Sequence, residues 1–381
     1  MAAAALILFQ SFVEGVKATF RQNVITSRFG HYQIFPAGDR PMAGDDNLTK
    51  LLKESAELRA DLEHATRPLA FMGRQLSFFG LLSTGDRSTG GRGVGIDAEE
   101  EDKFLTMAQV SAGRALAGAP PNSLYMGIDL AKKLGVQVGT SVTVLVTTAK
   151  GSMNAVDLEL IGTFKSGVTE LDENVYFVPF ATAESLLRVK GSQKILIGFE
   201  GKDELRYRAP LEEVLREKYP HLQLVHWQEL AAYFVNTMGW LEGMFSIFRI
   251  IILFIATLSI INVFTITLLE RVGEFGTLRA IGTSRTEITS MIFVEAMMQS
   301  FFGTIIGIAG GILLITVGLR QGITMPPPLM MSVPFEVSFA VPWNGVGITL
   351  ILCVIIAGGS GIFPALKMAR INIVEALGRN V

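Results

Sequence analysis

The sequence predicts a polytopic α-helical membrane protein of about four transmembrane helices, the first of them shortened, with a large α+β extracytoplasmic domain inserted between helices 1 and 2. Three observations predict it. Ile250–Leu269, Ala296–Leu319 and Gly345–Leu366 run for 20, 24 and 22 residues without a charge. At about 1.5 Å of rise per residue, each crosses a hydrocarbon core about 30 Å thick. Hydrophobic residues make up 49% of the chain and charged ones 18%, yet the apolar excess lies after residue 240. Residues 20–240 have the composition of a water-soluble domain. The short loops, finally, differ in charge.

The N-terminal stretch MAAAALILFQSF offers only about 12 apolar residues before Glu14, too few to span. A cleaved signal peptide would carry its charge ahead of the apolar run, whereas Lys17 follows it. The reading adopted is a partial first transmembrane helix continuing through VEGVKATFRQNVITSR as a stalk over residues 1–28. That helix keeps Phe9, Phe12, Val16 and Phe20 on one face.

Residues 29–229 form the extracytoplasmic domain, divided into an α/β layer (29–68 and 193–229) and a β-rich insertion (69–192). In the layer, His31–Phe35 reads as a strand and Asn47–His64 as a polar helix capped by Asn47. KILIGFE and LQLVHW read as strands flanking a helix that breaks or begins near Pro210. In the insertion, LAFMGRQLSFFGLL, NSLYMGI, TSVTVLVTT, VDLELIGTF and NVYFVPF are short runs between Gly- and Pro-rich turns, as in a barrel or sandwich.

The Pro-free stretch Gln228–Val272 predicts one helix of about 65 Å, part stalk and part second span, with residues 230–272 assigned to it. A charged, Gly-punctuated segment (273–287), a third span (288–319), a loop containing Pro326-Pro327-Pro328 (320–344) and a fourth span with its tail (345–381) complete the chain. Arg271, Arg279 and Arg285 flank one short loop and Lys367, Arg370 and Arg379 lie in the tail, whereas residues 320–344 carry Arg320 alone among the basic residues. The positive-inside rule puts the first two in the cytoplasm and the Pro-rich loop outside, together with the large domain.

A net charge of −2 leaves no basic footprint for nucleic acid. The single Cys353 excludes a disulfide within the chain. His31, His64, His221 and His226 lack metal-ligand spacing. GDRSTGGRG lacks the GxxxxGK[ST] order of a phosphate loop and reads as a surface turn around Gly85, Gly90, Gly91, Gly93 and Gly95. No nucleophile elbow, Walker motif or zincin motif is present, so no catalytic or metal-binding residue is assigned. Glu295, with Gln299 one turn on, is an acid within a span: a proton relay, a snorkelling group or a helix-packing hydrogen bond. Gly303, Gly307 and Gly311 permit close helix packing, within the subunit or across a dimer.

ERVGEFGTLRAIGTSRTEITSMIFVEA resembles the signature between the second and third spans of the FtsX-like ABC permease family, and FPALKMARINIVEAL its closing motif. VEGVKATFRQNVITSRFGHYQIF, LAKKLGVQVGTSVTVLV and WQELAAYF are similar to its MacB- and LolC-type members. Against that pattern, the cytoplasmic lead-in and half of the first span are expected to be missing at the N-terminus.

The resemblance implies a type VII ABC transmembrane subunit that works as a homodimer or heterodimer with a second permease. It implies too that ATP and Mg are bound by separate ATPase subunits, so no cofactor is expected on this chain. Motion then passes through the stalks to the external domain by mechanotransmission. Glu270, Arg271, Glu274, Gly276, Arg279, Gly282 and Arg285 are the residues expected to couple to the ATPase: Glu270 and Glu274 sharing a face, Gly276 and Gly282 permitting a turn, the arginines meeting acidic groups. The alternative is that these charges only solvate a loop and set topology. Three functions fit the resemblance: release of lipoprotein or export of lipid or lipopeptide, with a periplasmic carrier or adaptor; FtsX-type control of a cell-wall hydrolase without transport; and MacB-type efflux. The size of the external domain favours the first and third.

Overall fold

A computed structural model of the chain describes residues 1–38, 48, 50–53, 56–66, 69–100, 108–199, 204–326, 333–361 and 366. It divides into two compact units: residues 20–236 with 325–335, and residues 1–19 with 237–324 and 336–381. Lys367, Arg370, Arg379, Asn47, Pro327 and Pro328 lie outside the described residues.

The first unit is built on one ten-stranded sheet. Its α/β layer comprises β1 (Tyr32–Pro36), α2 (Ala56–Ala65), the first half of β2 (Leu69–Ser83), β9 (Lys194–Phe199), α6 (Arg208–Lys218) and β10 (Leu222–His226); α1 precedes them (Ala2–Val24). β1 lies between β9 and β10, β9 between β1 and β2, and every pairing is antiparallel. Strands joined by a helix therefore run in the same direction with one strand between them, giving two split βαβ units. Period-2 alternation turns Tyr32, Ile34, Ile195 and Ile197 to one face, where Leu58 and Leu62 of α2 and Leu211 and Leu215 of α6 cover them. Pro210 sits in the first turn of α6, where a missing N–H costs nothing. The polar helix is shorter than its sequence predicts: Leu52 forms a bridge with Ser192, and the helix is described only from Ala56.

The insertion closes into a barrel. β2 pairs with β3 (Ser88–Ile96), β3 with β8 (Val175–Pro179), β8 with β5 (Ser123–Gly127), β5 with β7 (Met153–Lys165), β7 with β6 (Ser141–Thr147), and β6 returns to β2. β4 (Gln109–Gly113) is added outside the ring on β7. Inward-facing Leu76, Phe78, Leu124, Met126, Val142, Val144, Leu158 and Tyr176 fill it, each full aliphatic burial stabilising by about 1.5–3 kcal/mol.

Residue 69 is not a break between layer and insertion. β2 is 15 residues long; its first half pairs with β9 and Gly80–Ser83 with β6, so one strand serves both. Three short helices, α3 (Ile128–Leu134), α4 (Thr169–Asn174) and α5 (Phe180–Leu187), lie between barrel strands where alternation alone predicts only strand and turn.

The glycine-rich stretch is likewise mostly strand. Only Gly85 occupies the turn, at φ 90°. Gly91, Gly93 and Gly95 line β3, where a Cβ would strike Leu82, Phe78 and Ala183 respectively. The barrel interior needs those positions empty so that the rings of Phe78 and Tyr176 can pack edge to face at 6.0 Å.

The second unit holds the membrane helices: most of α1 and of α8 (Ala232–Glu270), α10 (Arg285–Leu313, extended by a π turn to Gly318) and α11 (Trp343–Ser360). Each is long and apolar enough to cross a membrane. The long helix starts at Ala232 and ends at Glu270, not at Gln228 and Val272. Trp227–Leu230 forms a separate turn, α7, because the Trp227 indole is buried against Ile25 and Ala231.

The apolar stripe of α1 packs in part on α8. Phe245 meets Phe9 at 5.9 Å and Phe12 at 6.3 Å, and Lys17 pairs with Glu242. Phe20 packs instead on Phe335, and Phe234 on Trp227.

Candidate functional site

The segment after α8 folds as a second, short helix, α9 (Val272–Ala280), with Arg271 as the non-helical residue between the two. That break separates Glu270 from Glu274, so the two acids do not share one helical face. Gly276 is a buried helical residue and not a turn. The turn belongs to Gly282, whose φ of 106° is one that L side chains rarely adopt. Ser284 then starts α10 with a capping box: its hydroxyl accepts from the Glu287 N–H at 3.3 Å, and Glu287 accepts from the Ser284 N–H at 2.8 Å.

α9 is held by its underside. Val272 and Phe275 are buried with Phe264 and Leu268 from the end of α8 and Ile288, Ile292 and Ala296 from the start of α10. Gly273 and Gly276 are buried as well. What remains outward on α9, at i, i+3 spacing, is Glu274, Thr277 and Ala280. Past its end, Ile281 is 76% exposed, an apolar knob at the tip of the loop. Arg285 is exposed and Arg279 half-buried.

Arg271 ties the segment together. Its Nε donates to Glu274 Oε2 at 2.8 Å, and its Nη1 donates to Glu295 Oε1 at 2.8 Å and Oε2 at 3.0 Å. Its guanidinium also lies 5.4 Å from the centre of the Phe275 ring. Hydrogen bonds to Glu274, then to Glu295, hold the guanidinium above its usual pKa. Glu295 therefore has a specific partner at the junction of α8 and α9, a pairing that sequence reasoning missed because 24 residues separate the two groups. Gln299 does not join it; it lines an apolar cavity of about 730 Å³ among α1, α8, α10 and α11, as does Gly303. Gly307 and Gly311 pack within the subunit: a Cβ on Gly307 would lie 3.0 Å from Ala3 Cβ, and one on Gly311 3.3 Å from Ala4 Cα. A Cβ on Gly303 would meet nothing within 4 Å among the described residues.

This arrangement suits the transmission of force. A hydrophobic underside and the Arg271 pairs with Glu274 and Glu295 join this short helix to the ends of two membrane helices. Its outer rim of Glu270, Glu274, Ile281 and Arg285 is open to a partner.

Comparison with known proteins bears on the same segments. The MacB-like periplasmic core domain matches residues 1–204, more than half of the chain, and the FtsX-like permease C-terminal family matches residues 246–373, which include α9 and its latch. The chain is 20% identical over 307 residues to the lipoprotein-releasing system transmembrane protein LolC of Haemophilus influenzae, covering 78% of this chain and 74% of the relative. It is 23% identical over 315 residues to LolC of Xylella fastidiosa, covering 78% and 75%. The crystal structure of the periplasmic region of MacB from Actinobacillus actinomycetemcomitans aligns at a TM-score of 0.38 with 13% identity, covering 54% of this chain and 92% of that one. With both matches spanning external domain and membrane helices in order, the chain belongs to the FtsX-like ABC transporter permease family of the MacB and LolC type.

Proposed function

We propose that this permease subunit couples ATP hydrolysis, carried out with Mg on a separate ATPase subunit, to movement of its extracytoplasmic domain, and that its cargo is lipoprotein released from the outer face of the cytoplasmic membrane. The subunit works as one of a pair of permeases and hands cargo to a periplasmic carrier. The observation that carries this reading is the breadth of the match to two lipoprotein-releasing proteins, which runs over about three quarters of each. In this scheme the ATPase grips the outer rim of α9 through Glu274, Ile281 and Arg285. The Arg271 pairs with Glu274 and Glu295 pass that displacement into α8 and α10. The test is depletion of the chain in its own cells, followed by separation of the membranes. Lipoproteins destined for release should accumulate in the cytoplasmic membrane and clear when the chain is restored. Normal sorting during depletion would overturn the cargo assignment, and loss of resistance to an exported drug would point to efflux instead.

A further inference from the structure

Residues 336–340, between α10 and α11, lie along the stalk part of α1. The Ser11 hydroxyl donates to the Ala340 carbonyl at 2.8 Å, and the Thr19 hydroxyl donates to the Glu336 carbonyl at 3.3 Å. Between them, a Cβ on Gly15 would strike the Ser338 carbonyl oxygen and lie 2.9 Å from Val337 Cγ1. Ser11, Gly15 and Thr19 stand four residues apart, so they form one row of small side chains on the helix. Their partners Ala340, Ser338 and Glu336 stand two apart, in the reverse order. Eight helical residues rise about 12 Å and four extended residues span about 13 Å. An extended strap therefore runs antiparallel along the row and keeps step with it.

The polar groups are specific to this seat. Elsewhere in the second unit, Thr257, Thr265, Thr267 and Ser300 donate to the carbonyl four residues back on their own helix. Ser11 and Thr19 reach out to the strap instead. Ser11 and Val337 are fully buried there, and the Phe12 ring meets that of Phe339 at 6.2 Å. The strap is also held by the third and fourth spans. A Cβ on Gly322, just past α10, would lie 2.9 Å from the Val337 carbonyl oxygen. One on Gly345, in the first turn of α11, would strike the Gln10 side chain of α1.

The buried cluster under α9 joins α8 to α10 and, among the described residues, takes no side chain from α1. Within the span α1 packs on α10, with Ala3 and Ala4 against Gly307 and Gly311. The strap continues that attachment along about two turns of the stalk. We propose that the strap is a transmission contact: it binds the stalk of α1 to α10 and α11, so that a displacement taken up at α9 reaches the external domain through α1 as well as through α8. Gly15 is its positioning residue, because any side chain there meets the backbone of the strap. The inference rests on the reading that ATP hydrolysis moves the stalks.

The test uses the full chain with Cys353→Ser and its ATPase subunit, carrying spin labels on Glu14→Cys and Ser338→Cys, both exposed positions. The distance between the labels should be single and should stay the same when ATP and Mg are added. Gly15→Ala favours the helix itself, so a loss in this variant is not a weakened stalk. It should broaden the distance, leave ATP hydrolysis and ATPase co-purification as they were, and lower lipoprotein release about five-fold or more. Bridging Phe12→Cys to Phe339→Cys with a short thiol reagent should leave release intact, because strap and stalk do not part. Release unaltered in Gly15→Ala would overturn the proposal, since α8 would then carry the motion unaided; release lost on bridging would overturn it too. A distance that changes on addition of ATP sinks the strap and leaves the coupling function standing. Normal lipoprotein sorting on depletion of the chain sinks the cargo assignment, and the distance and the hydrolysis rate still decide on the strap.

Discussion

Arg271 carries the most consequential interactions of any single side chain in the cytoplasmic segment, because its guanidinium is shared between α9 and α10. Replacing it with Ala strands Glu295 within the span and removes charge-assisted hydrogen bonds of about 1.5–3 kcal/mol. Arg271→Ala should therefore reduce cargo-stimulated ATPase activity while the external domain stays folded. Glu295→Gln should lose less, and the double variant should cost less than the sum of the two. Strict additivity in that cycle would mean that the ion pair transmits nothing.

A second residue-scale test lies in the barrel. Gly95→Ala places a methyl group against Ala183 of α5, an overpacking worth about 1–3 kcal/mol. Ala183→Gly added to it should restore most of the lost thermal stability; an unrescued double variant would show that Gly95 is required for backbone reasons. Neither contact was legible beforehand. The glycines of β3 look like turn residues in sequence, and what makes them strand residues is the pair of aromatic rings that needs their space, contributed by β2 and β8.

Among elements, the strands β1, β9 and β10 of the α/β layer are legible in the sequence as short apolar runs, whereas the start of its first helix is not. The clasp between its helices was not readable, because Asp61 and Lys218 are 157 residues apart. Lys218 Nζ donates to Asp61 Oδ1 at 2.6 Å and the Tyr219 hydroxyl to Oδ2 at 3.0 Å. The Lys218 hydrogen bond holds the Asp61 carboxyl below the usual carboxylate range, and Asp61 in turn raises Lys218. A lowered acid contributes stability above its unfolded pKa of about 3.9 and loses it as pH falls through the folded value. A raised base contributes below about 10.4 and loses it as pH rises. Lys218→Met should thus lower the melting temperature of the chain at pH 7, and the deficit should shrink as the pH is taken below about 4. A deficit independent of pH would assign the effect to lost packing. α9 shows the opposite balance. Its existence follows from the charged segment between two spans, but its start at Val272 depends on the break at Arg271, which only the buried cluster around Phe275 explains.

At the scale of the whole molecule, charge distribution determines topology and apolar run length determines the three later spans, so these are legible in the sequence; the first is not, because Glu14 and Lys17 interrupt a helix that over Ala2–Val24 is nevertheless long and apolar enough to cross. The closure of the insertion into a barrel is not legible either, because it depends on β2 serving two sheets at once. With Cys353→Ser as background, Lys150→Cys in the β6–β7 turn and Thr286→Cys at the start of α10 should label from opposite sides of the membrane; same-side labelling would overturn the orientation. The central claim is that α9 is the mechanical contact with the ATPase. The direct measurement is site-specific cross-linking from Glu274 and Ile281, with ATPase activity followed on the same complexes. Cross-links to the ATPase subunit are expected from both positions, with loss of stimulated hydrolysis and of ATPase co-purification in the Glu274→Lys, Arg279→Glu double variant. Absence of cross-links, with hydrolysis and co-purification unchanged in that variant, would contradict it.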